Sequence, residues 1–187
     1  GFFGTDESAN INSIFNGGLP DSLTAFNPSS WFRMGEEATW DGSKFVLDNQ
    51  GSIGGTATSV GITPSDPNPT TDVPLFDNKS FTFDGNIDYI NIGDNNNLSF
   101  GDGVTDSPFS ISAWVKMTDE IRFKIVSKLF TYEEYQFVTT GGGGIGLYLY
   151  DDSSGGRLGR YGPSLSAYNN TWIHVCATYD GSSSSTG

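Results

Sequence analysis

The chain has 187 residues, enough for one sizeable core and short for two. Glycine is abundant at 25 residues, aromatics reach 14% and charged residues only 17%, a mix that excludes disorder and suits turn-rich β structure. A net charge of −13 with nine Lys and Arg excludes the basic cluster that a phosphate backbone or an anionic bilayer needs, so neither nucleic acid nor membrane is an expected partner.

Cys176 is the single cysteine, so no intrachain disulfide forms. No apolar run approaches the roughly 18 residues of a membrane span. The chain begins at Gly1 without Met or a basic leader. This suggests a processed chain, a fragment or part of something longer.

Residues 1–28 read as an N-terminal arm. Within it, Asn12–Asn16 before Gly17 and Gly18 forms either one short helical turn or an ordered loop. Asp21–Phe26, with Asp21 as a cap, offers a second. Residues 29–187 read as one domain. Its strand candidates begin at Trp31–Met34, Lys44–Leu47 and Thr56–Val60. Residues 61–75 hold four of the eight prolines and read as a surface excursion, because proline lacks the ladder donor.

Ser80–Asp84 alternates, with Phe81 and Phe83 sharing a face, and Gly85–Asn86 turns into Tyr89–Ile92. Phe109–Met117 is the cleanest period-two segment. Phe109, Ile111, Ala113, Val115 and Met117 fall on one side, and Ser110, Ser112, Trp114 and Lys116 on the other. Phe123–Leu129, Tyr135–Thr140 and Ile145–Tyr150 follow, with Gly141–Gly144 as a hairpin tip and Asp151–Gly156 as a turn cluster. Trp172–Tyr179 is apolar on both faces and reads as a central strand. Roughly ten short strands without intervening helices predict an all-β antiparallel sandwich.

Four segments carry a resemblance. They are Ser80–Ile92 (SFTFDGNIDYINI), Phe109–Lys116 (FSISAWVK), Ile125–Lys128 (IVSK) and Asn170–Gly181 (NTWIHVCATYDG). In order and spacing they resemble the laminin-G-like, concanavalin A-like lectin/glucanase jelly-roll family, as do Ser30–Glu36 and Asp48–Thr56. The arm, through Ile11–Gly18, Asp21–Leu23 and Pro28–Gly35, resembles the start of such proteins carried by marine tailed phages.

The resemblance implies a concanavalin A-like jelly roll with its C-terminal strands missing. In the family, further strands follow the Tyr-Asp-Gly found here at Tyr179–Gly181, whereas here Ser182–Gly187 follow. A longer polypeptide or an oligomeric neighbour is expected to complete the sheet. It also implies a non-enzymatic virion surface protein, a capsid decoration or fibre-associated module. This protein would grip other virion proteins through its arm, which reaches about 90 Å if fully extended. The alternative is a lectin-type adhesion domain for host-surface glycans.

A third reading, glycoside hydrolase, is disfavoured. The family's glucanases place acids at alternate strand positions, where they share a face, and no two of the 22 acids here lie two residues apart. The adjacent pairs Glu133–Glu134 and Asp151–Asp152 would point to opposite faces of a strand.

No catalytic, cofactor-binding or metal-binding residue is assigned. His174 and Cys176 share a face, and both read as packed side chains. No cofactor is expected. Ca²⁺ is the open alternative, with Asp84, Asp88, Asp94, Asp102 and Asp106 or Glu133 and Glu134 as loop acids, against a reading of these as turn caps. Gly141–Gly144 lacks the Lys-Ser or Lys-Thr of a phosphate loop. Asn78, Asn97 and Asn169 open glycosylation triplets that carry no weight in a phage protein. Trp40, Tyr132, Tyr148, Tyr150 and Tyr161 read either as core or as a sugar-stacking platform.

Overall fold

The computed structural model describes residues 1–65, 68–74, 79–102, 104–129, 134–151 and 156–183. The chain forms two compact units. The first comprises Gly1–Phe3 and Asn12–Leu98, the second Gly4–Ile11 and Ser99–Gly187.

The first unit opens with β1 (Phe2–Phe3), whose Phe2 exchanges backbone hydrogen bonds with Ser30 at 2.7 and 3.3 Å. The helical turn expected at Asn12–Asn16 is α1 (Ile11–Phe15), continued as a 3-10 turn to Gly18. The second expected turn is a 3-10 turn at Thr24–Phe26, and Asp21 does not cap it. Asp21 Oδ1 accepts instead from the adjacent Ser22 N at 2.6 Å.

A four-stranded antiparallel sheet follows in chain order: β2 (Ala38–Trp40), β3 (Phe45–Asp48), β4 (Thr56–Val60) and β5 (Tyr89–Asn91). Phe45, Leu47, Ala57, Ile62 and Phe81 form its buried cluster, with Ile90 and Ile92 packed against it on the shared face that alternation predicts.

Two expected strands of this unit are absent. Trp31–Met34 is irregular, tied to the 49–53 turn by Gln50 N to Trp31 O at 2.7 Å and Trp31 N to Asn49 Oδ1 at 2.8 Å. Ser80–Asp84 makes only an isolated bridge, Ser80 with Thr70. The Asn68 side chain takes the place of a strand neighbour beside it. Its Oδ1 accepts from Thr82 N at 2.7 Å and its Nδ2 donates to Thr82 O at 3.0 Å. Phe81 is buried in the cluster against Phe45, while Phe83, two residues on, is 40% exposed.

The second unit is a β-sandwich. One layer pairs β6 (Phe109–Val115) with β11 (Ile173–Tyr179) in unbroken antiparallel register from Phe109–Tyr179 to Val115–Ile173. The other layer is β7 (Lys124–Lys128), β8 (Tyr135–Thr139), β9 (Gly144–Asp151) and β10 (Gly156–Ser164), in spatial order β10-β9-β8-β7. The layers meet at Phe109, whose ring lies 5.4 Å from Tyr135, 5.7 Å from Tyr179 and 4.3 Å from Phe100, stacked on the last. The β8–β9 hairpin turns at Gly141–Gly143, as expected.

β6 keeps its predicted alternation, but its polar side does not face water. Ser110 is 0% and Ser112 5% exposed. Ser110 Oγ accepts from Glu7 N at 2.8 Å and donates to Thr5 O at 3.0 Å, so the segment around Thr5–Glu7 lies across that side. Ser110→Ala removes the partner of two backbone groups, one of them in the buried Glu7, and each orphaned buried group costs about 1–3 kcal/mol. Urea unfolding should show a loss in that range, and an unchanged midpoint would contradict the role given to Ser110.

Candidate carbohydrate-binding face

β10 was not foreseen, and its composition explains why. Gly-Arg-Leu-Gly-Arg-Tyr-Gly-Pro-Ser carries three glycines and a proline over 156–164, all poor strand formers. The proline sits where an edge strand tolerates it, at a register shift between Tyr161 and Ser164. Gly159 pairs across from Tyr148, and a Cβ placed on Gly159 would fall 2.9 Å from Tyr148 Cδ1. A Cβ on Gly146 would fall 3.3 Å from Cε2 of the same ring. Tyr148 thus lies across two glycine positions, where a side chain at Gly159 would displace the ring and one at Gly146 would crowd it.

Tyr161 pairs with Gly146 in the register and stands against Tyr148 at 86°, with ring centroids 5.5 Å apart. Arg157, paired with Tyr150, holds its guanidinium over the Tyr148 ring at 5.4 Å. Cross-strand partners share a face, and so do residues two apart. One face of the sheet therefore carries Tyr148, Tyr150, Arg157 and Tyr161, while Leu147, Leu149 and Leu158 take the other. Tyr161 is 57% exposed. Burial, with the Tyr161 hydroxyl beside it, pushes the Tyr148 phenol up to about 12, so it remains a hydrogen-bond donor at neutral pH.

Of the five aromatics considered for stacking, the structure brings together Tyr148 and Tyr161, with Tyr150 on the same face. Trp40 belongs to the first unit, edge-on to Phe45 at 5.1 Å. Tyr132 lies outside the described residues, as do Asn78, Glu133 and Asp152.

The loop acids act mainly as turn caps. Asp84 Oδ1 accepts from the backbone of Asn86, Ile87 and Asp88 at 2.8, 3.0 and 3.1 Å, and Asp102 Oδ1 from Val104 and Thr105 at 2.9 and 2.7 Å. These bonds hold both carboxyls below the usual range. Asp106 Oδ2 takes the Tyr179 hydroxyl and Ser183 Oγ, and Glu134 pairs with Lys128. Among the described residues no group of three or more His, Cys, Asp or Glu could hold a metal ion.

A separate cavity of about 230 Å³ is lined by Leu147, Leu149, Leu158, Arg160, Asp6 and Asp180, among others, and the tyrosine corner does not contribute to it.

A family model for the concanavalin A-like lectin/glucanases superfamily matches residues 84–186, more than half of the chain. The chain belongs to this superfamily. No curated protein and no solved structure matches it. The superfamily match spans β6 to β11 and so contains the whole tyrosine–arginine face. Sequence reasoning missed Arg157. The signal available was its place two residues before Gly159 and four before Tyr161, which requires 156–164 to be a strand.

His174 sits within the superfamily match, packed in the β6–β11 layer. Its Nε2 lies 2.7 Å from Ser112 Oγ and its ring 5.3 Å from Trp114. Burial lowers the imidazole to about 4 and raises the Cys176 thiol to about 11, so both are uncharged at pH 7. A histidine depressed from about 6.5 contributes stability that is complete above that pH and is lost as pH falls towards 4. His174→Gln should flatten the pH dependence of unfolding between 6.5 and 4. The same slope in variant and wild type would show that another group is responsible.

Proposed function

We propose that this chain is a non-catalytic carbohydrate-binding module and that the Tyr148–Tyr161–Arg157 face is its binding surface. The observation that carries the reading is the right-angled tyrosine corner: one ring laid over Gly146 and Gly159, the other standing exposed beside it. Aromatic faces stack on the apolar faces of pyranose rings, and a polar rim sets orientation. Here the rim is the Tyr148 hydroxyl, the Arg157 guanidinium and Gln136, which pairs with Tyr148 on β8.

Support for a binding rather than a hydrolytic role comes from the strands themselves. From β6 to β11 the single acid within a strand is Asp151, at the end of β9. Hydrolysis of a glycosidic bond calls for two carboxyls set across it. The stacking surface also needs no metal ion, so chelator should leave binding unchanged.

The setting we propose for the module is the surface of a virus particle. Its support is the resemblance of Ile11–Gly18, Asp21–Leu23 and Pro28–Gly35 to phage-borne proteins of this kind. Stoichiometric recovery of the chain from purified particles would bear this out, and its absence from them would reject it.

Tyr161→Ala should weaken binding on a glycan array by about tenfold or more, equivalent to about 1.4 kcal/mol, with an unchanged thermal midpoint. Gly159→Val should also weaken binding, by displacing the Tyr148 ring. Full binding by Tyr161→Ala, or no glycan bound by the wild type, would refute the reading.

A further inference from the structure

Among the described residues, the paired positions of the tyrosine face carry the opposite charge to the chain as a whole. Acids outnumber bases by 22 to nine in the whole sequence. The register places two rows of paired positions across this sheet face. One is Lys124–Val138–Gly146–Tyr161, and the next Ser127–Gln136–Tyr148–Gly159, with Tyr150–Arg157 beyond. These paired positions hold two cations, Lys124 and Arg157, and no carboxylate. Asp151 pairs with Gly156, one step from the Tyr150–Arg157 pair and at a position that alternation puts on the other face. On this face the acid nearest in register is Glu134, whose backbone carbonyl accepts from Tyr150 N at 2.8 Å and whose carboxylate is engaged by Lys128 and by Ser99 at 3.1 Å.

We propose that the sugar taken by this face is acidic, a pyranose bearing a carboxylate, and that Arg157 is the residue that selects it. This rests on the carbohydrate-binding reading above and narrows its ligand class. The Arg157 guanidinium lies over the Tyr148 ring at 5.4 Å, and the edge of a guanidinium can give a carboxylate two parallel hydrogen bonds. A carboxylate on a ring seated in the tyrosine corner matches that fork. Exposed charges beyond about 8 Å are largely screened at physiological salt, so the groups nearest Arg157, rather than the net charge of the chain, set the local field.

The test uses the whole chain and a panel of oligosaccharides printed in pairs. Galacturonate, glucuronate, mannuronate and sialylated glycans are each set beside their methyl esters, with neutral homologues included. The wild type should hold at least one acid about tenfold or more tighter than its ester, the scale of a charge-assisted bidentate contact. Arg157→Gln should bring acid and ester to within about twofold of each other. Arg157→Lys should restore only part of the difference, because charge is kept and the fork is lost.

Equal binding of acids and esters by the wild type, or an acid preference that survives Arg157→Gln, would overturn this proposal while leaving the sugar-binding reading intact. Binding to none of the printed glycans would overturn both. If Arg157→Gln fails to fold, the wild-type comparison of acid with ester still decides the acid preference, and a full preference retained by Arg157→Lys would overturn the role given to the guanidinium fork.

Discussion

Phe109 is the contact on which the second unit depends. Its ring stacks on Phe100 and meets Tyr135 from the opposing layer and Tyr179 from the neighbouring strand. One side chain thus joins β6, β8, β11 and the segment leading into β6. Tyr179 extends the network outward, its hydroxyl engaging Asp106 and accepting from Ser183 N at 2.7 Å. Aromatic pairs add about 0.5–1.5 kcal/mol each beyond area burial, so a ring in three such pairs weighs heavily against a marginal total stability.

The tyrosine–arginine face is held in place by that core. Tyr135, packed on Phe109, heads β8 and pairs with Leu149 of β9, and Leu149 pairs with Leu158 of β10. The inward residues set the register, and period-two alternation then puts Tyr148, Tyr150, Arg157 and Tyr161 on the other side together. A slip of one residue would turn the tyrosines inward and the leucines out. The glycines at 146 and 159 act next, letting one ring lie close to the sheet where a side chain would lift it.

His174 and Cys176 show how the same geometry can hold reactive residue types in an inert state. Both lie on the side of the β6–β11 layer that holds Ser110 and Ser112, with the Thr5–Glu7 segment hydrogen-bonded there through Ser110. The cost of desolvating charge keeps the imidazole unprotonated and the thiol protonated, and Ser112 supplies a hydrogen bond for the imidazole.

By itself the sequence determined the class of fold and most of the strands. Alternation at Phe109–Met117 and the segments up to Tyr150 carry their periodicity locally, and the four family segments set the superfamily. It also singled out Tyr148, Tyr150 and Tyr161, without separating core from surface. Only the tertiary structure decided that question, because two faces of one strand look alike until the opposing layer is in place. It also decided that Ser80–Asp84 pairs with a side-chain amide rather than a strand. It showed that Trp172–Tyr179, read as central, has within its unit β6 as its one strand neighbour among the described residues. And it made 156–164 a strand against its own propensities. Glycine there is favoured by a ring that arrives from β9, a long-range contact that no local pattern records, and Arg157 becomes part of the face only through that strand.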